Sequence, residues 1–291
     1  MKAPHWEIRT TGPLYPDLLL QTPEPPAILY GCGDTALLGP CLAVIGARKA
    51  TPYGLSCASR FAGWAAANGV TIVSGGAIGC DMAAHEAALE AEGSTVAVLG
   101  CGADIDYPHR ARSLLARLRK DHAVVSEAPW GTPPQRWAFS RRNRIIAGLS
   151  LAILVVEAGL PSGTFGTADH ALSAGRDVLA VPGSIFAPEC KGANRLIAQG
   201  ATPVTSESEL RDALISAGFL LGAARVDGEL APSSAMDPIL AALCADPMRP
   251  DDLAFHLGQD VVAIACALSR LELAGHIIRL RDGRYSIRKH Q

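Results

Sequence analysis

The chain has eight cysteines but no CxxC pair and no Cys/His cluster. That argues against a zinc site and for reduced thiols, as in a cytoplasmic protein. No apolar run approaches the roughly 18 residues of a membrane span. The opening "MKAPHWEIRTTGPLYPD" lacks the apolar stretch of a signal peptide, so no membrane partner is expected. No GxGxxG follows the first apolar strand and no P-loop occurs, so no nucleotide cofactor is expected. GxSxG and carboxylates at metal-binding spacing are missing too, and with them the basis for a catalytic triad or a metal-dependent nuclease. Global positive charge is also absent. The formal net charge is −2, so any polyanion site must be a local patch. One local scarcity stands out: no acidic residue lies between Glu127 and Glu157, a stretch that holds Arg136, Arg141, Arg142 and Arg144.

What is present is apolar and glycine-rich. Of 291 residues 49% are hydrophobic, and 29 are Gly, enough for one large core and a smaller domain. Short apolar runs, "LAVIG", "TIVSGG", "TVAVLGCG", "AVVSE", "LAILVVE" and "DVLAVPGS", alternate with Ala/Leu-rich helical patterns. This order predicts βαβ units and a doubly wound parallel sheet, an α/β fold. Residues 1–40 read as an extension packed on the sheet, 41–221 as the Rossmann-like domain and 222–235 as a linker. Residues 236–291 change character. Two short helical patterns, a third helix starting after Asp260, and an Asp-Gly hairpin in "HIIRLRDGRYSIR" predict a small C-terminal winged helix.

Ligands of doubly wound sheets bind beyond the carboxyl ends of the strands, and here those ends carry the polar residues. Arg48 and Lys49 sit in a Gly-bearing strand-to-helix turn, suited to an anion. Ser74, Gly75 and Gly76 repeat the pattern at the second parallel strand, with Asp81 read as a helix cap. "QRWAFSRRNR" interleaves Arg136, Arg141, Arg142 and Arg144 with Trp137, Phe139 and Asn143. Guanidinium groups hold phosphates and aromatic faces stack bases, a combination suited to single-stranded nucleic acid. The blander readings are that some arginines pair with Glu157 or cap helices, and that Trp137 is core. Ser162, Gly163 and Thr164 open a helix as a hydroxyl-rich loop, either a phosphate cradle or a plain cap. Lys191 and Asn194 begin another helix. His85 and His170 read as satisfied or surface histidines.

Taken in order, "AVIGARKATPYG", "IVSGGAIGCDMAAHEAAL", "VAVLGCGADIDYP", "FSRRNRIIAGLS", "VVEAGLPSGT", "GRDVLAVPGSI" and "KGANRLIAQGA" closely resemble the DprA/Smf family of DNA-processing proteins of natural transformation. The resemblance covers about residues 14–215. It implies an extended Rossmann fold, a homodimer that binds and protects single-stranded DNA without cleaving it, and delivery of that strand to the recombinase RecA. Carried over by motif, it implies DNA contacts at Arg48, Arg136, Phe139, Arg141–Arg144 and Lys191. The chain departs from the family pattern in "GARKA", where a Ser commonly follows the Gly. It departs again in "SGTFGTADH", which drifts toward the loop of related nucleotide hydrolases. A nucleotide N-glycosidase on the same fold is therefore the alternative, with Glu157, Asp169 or Glu127 as its carboxylate. The third helix of the winged domain, "VVAIACALSRLELAG", has a single Arg and no Lys, Asn or Gln. A protein partner or its own sheet domain is the expected contact for that domain, rather than a DNA groove.

Overall fold

The structure, a computed structural model, describes residues 5–221 and 237–288, so the expected linker lies outside the described residues. The chain divides into two compact units at about residue 222.

In the first unit, β1 (His5–Arg9), α1 (Asp17–Leu20) and β2 (Ile28–Gly33) precede the βαβ series. The series then runs β3 (Cys41–Ile45), α2 (Pro52–Ala67), β4 (Thr71–Ser74), α3 (Cys80–Glu90) and β5 (Thr95–Val98). It continues with α4 (Arg112–Asp121), β6 (Ala123–Ser126), α5 (Arg136–Gly148) and β7 (Ser150–Val155). It closes with α6 (Thr164–Ser173), β8 (Asp177–Ala180), α7 (Lys191–Ala198), β9 (Thr202–Pro203) and α8 (Glu207–Ser216). The nine strands form one sheet in the order β1-β2-β6-β5-β4-β3-β7-β8-β9. From β6 to β9 every neighbour pair is parallel. The N-terminal segment does more than pack on the sheet: β1 and β2 continue it as antiparallel strands beyond β6. Their residues carry no βαβ signature, because a hairpin needs no crossover helix.

The strands are apolar on both faces because helices cover both. Along β3, Ala43 and Ile45 face a core built with α5, α6 and α7, while Leu42 and Val44 face α2, α3 and α8. A third cluster sets Leu114, Leu115 and Leu118 of α4 against Ala97 and Val124. The chain moves outward from β3 to β6, then returns to place β7 on the other side of β3. The carboxyl ends of β3 and β7 are thus the switch point, where open α/β sheets ordinarily open a ligand crevice.

The second unit packs α9 (Pro238–Ala245), α10 (Pro250–Leu257) and α11 (Val261–Leu273) against a hairpin of β10 (Ile277–Arg279) and β11 (Tyr285–Ile287). Its core is Ile239, Leu243, Leu253, Ile264, Leu268, Ile277 and Tyr285. The polar residues define its joints. Asp237 Oδ1 accepts from Ile239 N, and Asp260 Oδ1 accepts from Val262 N and Ala263 N, capping two helices. Gly258, at φ 62°, ends α10 in the left-handed conformation.

Candidate nucleic-acid interface

The switch point itself is filled with protein. Glu157, fully buried after β7, accepts from Thr51 N (2.8 Å) and Thr51 Oγ1 (2.6 Å), and Thr51 Oγ1 accepts from Gly54 N (3.1 Å). The carboxylate thereby locks the start of α2. A Cβ on Gly54 would lie 2.5 Å from Glu157 Oε2, so the glycine is what allows this approach. Glu157 thereby serves the fold.

The open cavity lies beside it, over the ends of β3, β4 and β5. It holds about 370 Å³ and is lined by Arg48, Lys49, Gly75, Gly76, Ile78, Leu99, Gly100, Cys101, Tyr107, Arg110, Phe139 and Arg142, among others. Helical spacing explains which arginines reach it. Phe139 and Arg142 are three residues apart on α5 and share the face toward the cavity. Arg141 and Arg144, also three apart, turn toward β6 and pair with Glu127 at 3.3 and 2.6 Å. The cluster that looks unbalanced in the sequence is therefore partly neutralised by a carboxylate at the end of the neighbouring strand.

Arg142 is the floor of the cavity. It is only 4% exposed, yet its Nε and Nη1 have no hydrogen-bond partner. Burial pulls its pKa down to about 10, with Asp81 opposing and Arg48 reinforcing the shift, so it remains cationic at neutral pH. Its guanidinium lies against Gly75, where a Cβ would meet Nη1 at 1.8 Å. Asp81 proves to brace this turn, not to cap α3. Its Oδ2 accepts from Gly75 N (3.1 Å) and Ala77 N (3.3 Å), while the N-cap of α3 is Gly79 at φ 98°. Burial raises the Asp81 pKa, and Arg142 and the two amides hold it back.

The wall is aromatic. Phe139 lies 5.3 Å from Tyr107, centroid to centroid, and Arg48 sits 5.5 Å from the Phe139 ring. Tyr107 and Arg110 come from the loop after β5, which the sequence reading did not single out. The signal available was the polar, Gly-flanked end of that strand.

The remaining candidates are distributed. Ser74 is buried beneath the turn and donates its hydroxyl to Val44 O. Arg136 and Trp137 are exposed at the start of α5, outside the cavity lining. Asn143 reaches the loop after β7, with Nδ2 3.5 Å from Gly163 O. There Ser162 Oγ accepts from Thr164 N and donates to Thr164 Oγ1, closing a tight turn before α6. Lys191 is exposed at the start of α7, and Asn194 holds Gly183 through both N and O. Of the histidines, His85 is buried and His170 exposed. Among the described residues no group of His, Cys, Asp and Glu is placed to hold a metal, and no single helix is long and apolar enough to cross a membrane.

The profile of DNA recombination-mediator protein A matches residues 7–215, and that of the DprA winged helix domain matches residues 224–283. The chain belongs to the DprA/Smf family. It is 39% identical over 292 residues to Protein Smf of Escherichia coli K12, covering 98% of this chain and 78% of that protein. It superposes on the DNA processing protein A (DprA) structure from Streptococcus pneumoniae with a TM-score of 0.69 at 38% identity, covering 73% of this chain and 74% of that one. A Helicobacter pylori DNA processing protein A structure, which addresses that protein's single-stranded DNA binding mode, gives 0.66 at 29% identity. It covers 74% of this chain and 99% of the relative. The family's extended Rossmann-like domain and winged helix are thus both present in this chain.

Proposed function

We propose that this DprA/Smf protein binds single-stranded DNA in the carboxyl-rim cavity and presents it to a RecA-type recombinase. The observation that carries the reading is Arg142, a 4% exposed cation that lines an open, aromatic-walled pocket. Such a group is costly unless an anion meets it, and a strand phosphate supplies one. Arg48, Lys49 and Arg110 add charge around the same volume, and the Phe139–Tyr107 wall offers a face to an unpaired base. A duplex keeps its bases stacked and cannot offer one, which favours the single strand. The DNA-binding mode described for the Helicobacter pylori relative supports the same ligand. The strand is held without chemistry, because Glu157 and Glu127 carry structural hydrogen bonds or ion pairs and Asp169 is exposed on α6, outside the cavity lining.

A homodimer through the sheet domain completes the reading. Ile215 and Leu220 at the end of the α8 region are exposed, an apolar surface suited to a second copy. The domain reading is an extension at 1–40 that enlarges the sheet, the Rossmann-like domain at 41–221, a linker at 222–235 and a winged helix at 236–291. In that last unit Val261, Val262, Ala265 and Cys266 of α11 are exposed, a surface suited to a protein and not to phosphates. Fluorescence anisotropy with matched single- and double-stranded oligonucleotides tests the core of the proposal. Wild type is expected to prefer the single strand, and Arg142→Ala to lose that binding while remaining folded. Equal affinity for both forms, unchanged in Arg142→Ala, would refute it.

A further inference from the structure

The loop after β8 has a feature the cavity does not use. Phe186 is 89% exposed and Ile185 is 74% exposed. Such exposure in a slack loop would mean little, but this loop is pinned. Gly183 N donates to Asn194 Oδ1 (3.1 Å) and Asn194 Nδ2 donates back to Gly183 O (2.9 Å). Tyr53 Oη donates to Pro182 O at 2.7 Å. Phe186 N donates to Ser184 Oγ at 3.2 Å, and Ala187 N to Ser184 O at 3.1 Å, so a turn fixes the backbone at the aromatic residue itself. The fold holds a large apolar pair out in solvent on a braced turn, and α7 then starts with exposed Lys191.

Its position gives it a partner. β3, β4, β7 and β8 are mutually parallel, so their carboxyl ends lie on one rim. β8 is three places from β4. At about 4.8 Å per strand, the two strand ends are about 14 Å apart. One DNA strand rises about 3.4 Å per nucleotide when stacked, so a few nucleotides bridge the gap.

We infer that Ile185 and Phe186 form a second base-stacking platform, taking the nucleotides of the same single strand that follow those in the cavity, with Lys191 on the intervening phosphates. This inference rests on the strand-binding reading and extends it. The occupant is single-stranded DNA because the platform continues a basic, aromatic rim. An exposed aromatic on a pinned loop that leads into exposed Lys191 matches a base and its phosphate better than it matches an apolar protein face. The platform also gives the rim a length, so affinity must depend on how far the strand extends.

The test is an oligodeoxythymidine series lengthening from a dinucleotide, read by competition against a labelled long strand, with wild type and Phe186→Ala. Phe186→Ala is expected to leave the shortest members unaffected and to weaken the longer ones about tenfold, equivalent to about 1.4 kcal/mol. Its salt slope should be unchanged, and Phe186→Trp should restore affinity. Lys191→Ala should weaken the same longer members and also flatten the salt dependence. Equal loss at every length would make Phe186 part of the cavity and overturn the inference. So would no loss at any length, including the case where Phe186→Ala instead lowers the mass in solution and marks the surface as a contact between copies. If folded wild type binds no single strand of any length, the strand-binding reading itself falls, and the platform with it.

Discussion

At the scale of single residues, the site depends on what is small as much as on what is charged. Gly75 is needed because the Arg142 guanidinium occupies the space a Cβ would fill. In Gly75→Ala the far end of a side chain must give way, not the backbone. Strand affinity is therefore expected to fall by about 1.5–3 kcal/mol, the worth of a hydrogen bond to a charged group, with little change in the unfolding temperature. Anisotropy paired with thermal melting checks this; a large loss of stability would contradict it. His85 makes a second residue-scale prediction. Its Nδ1 lies 2.7 Å from Thr95 Oγ1, which itself donates to Ile72 O, so Nδ1 carries the proton and Nε2 has no partner. Burial, with Arg142 next in weight, holds its pKa down at about 3. The unfolded chain takes up this proton near 6.5, the folded chain only near 3. The protonation linkage of His85 therefore costs little at pH 7, and stability falls as pH drops below about 6.5, by up to about 1.4 kcal/mol per pH unit. Urea unfolding at pH 7, 6 and 5 should show that slope in wild type and a flatter one in His85→Gln.

At the scale of elements, much was legible and the rest had definite physical causes. Six of the seven parallel strands, β3 to β8, follow from apolar runs alternating with helical patterns, whereas β9, two exposed residues at Thr202–Pro203, has no such signal. The winged-helix unit was legible through the Asp260 cap and its Asp-Gly turn. β1 and β2 were missed because an antiparallel edge hairpin leaves only a short, Pro-rich signature. The arginine segment was legible as a group and not residue by residue. Periodicity puts Phe139 with Arg142 and Arg141 with Arg144, but only the sheet order reveals that Glu127 waits on one side and the cavity on the other. Tyr107 and Arg110 escaped notice because a loop brings them across from another strand. Glu157 likewise reads as a possible carboxylate catalyst until Thr51, distant in sequence, is seen to occupy it. Glu157→Gln keeps one acceptor and loses the other, so it is expected to destabilise the fold by about 1–3 kcal/mol. Single-strand affinity should be nearly unchanged. A nucleotide-cleaving activity that disappears in this variant would reverse the assignment.

At the scale of the whole molecule, a net charge of −2 and a strand-binding role are compatible because four basic residues, Arg48, Lys49, Arg110 and Arg142, gather around one cavity. The two units divide the work. The sheet unit carries the cavity, and the winged helix presents α11 with Arg270 as its one basic residue. A chain ending at residue 221 is therefore expected to retain most single-strand affinity, measured against full-length protein under one salt condition. The most direct measurement of the central claim is the salt dependence of single-strand binding. Each phosphate neutralised on a single strand contributes about −0.7 to the slope of log K against log salt. With Arg48, Lys49, Arg110 and Arg142 engaged in the cavity, the slope is expected to be near −3. Arg48→Ala should bring it to about −2. A wild-type slope near zero, or one that no substitution among these four residues alters, would contradict the account.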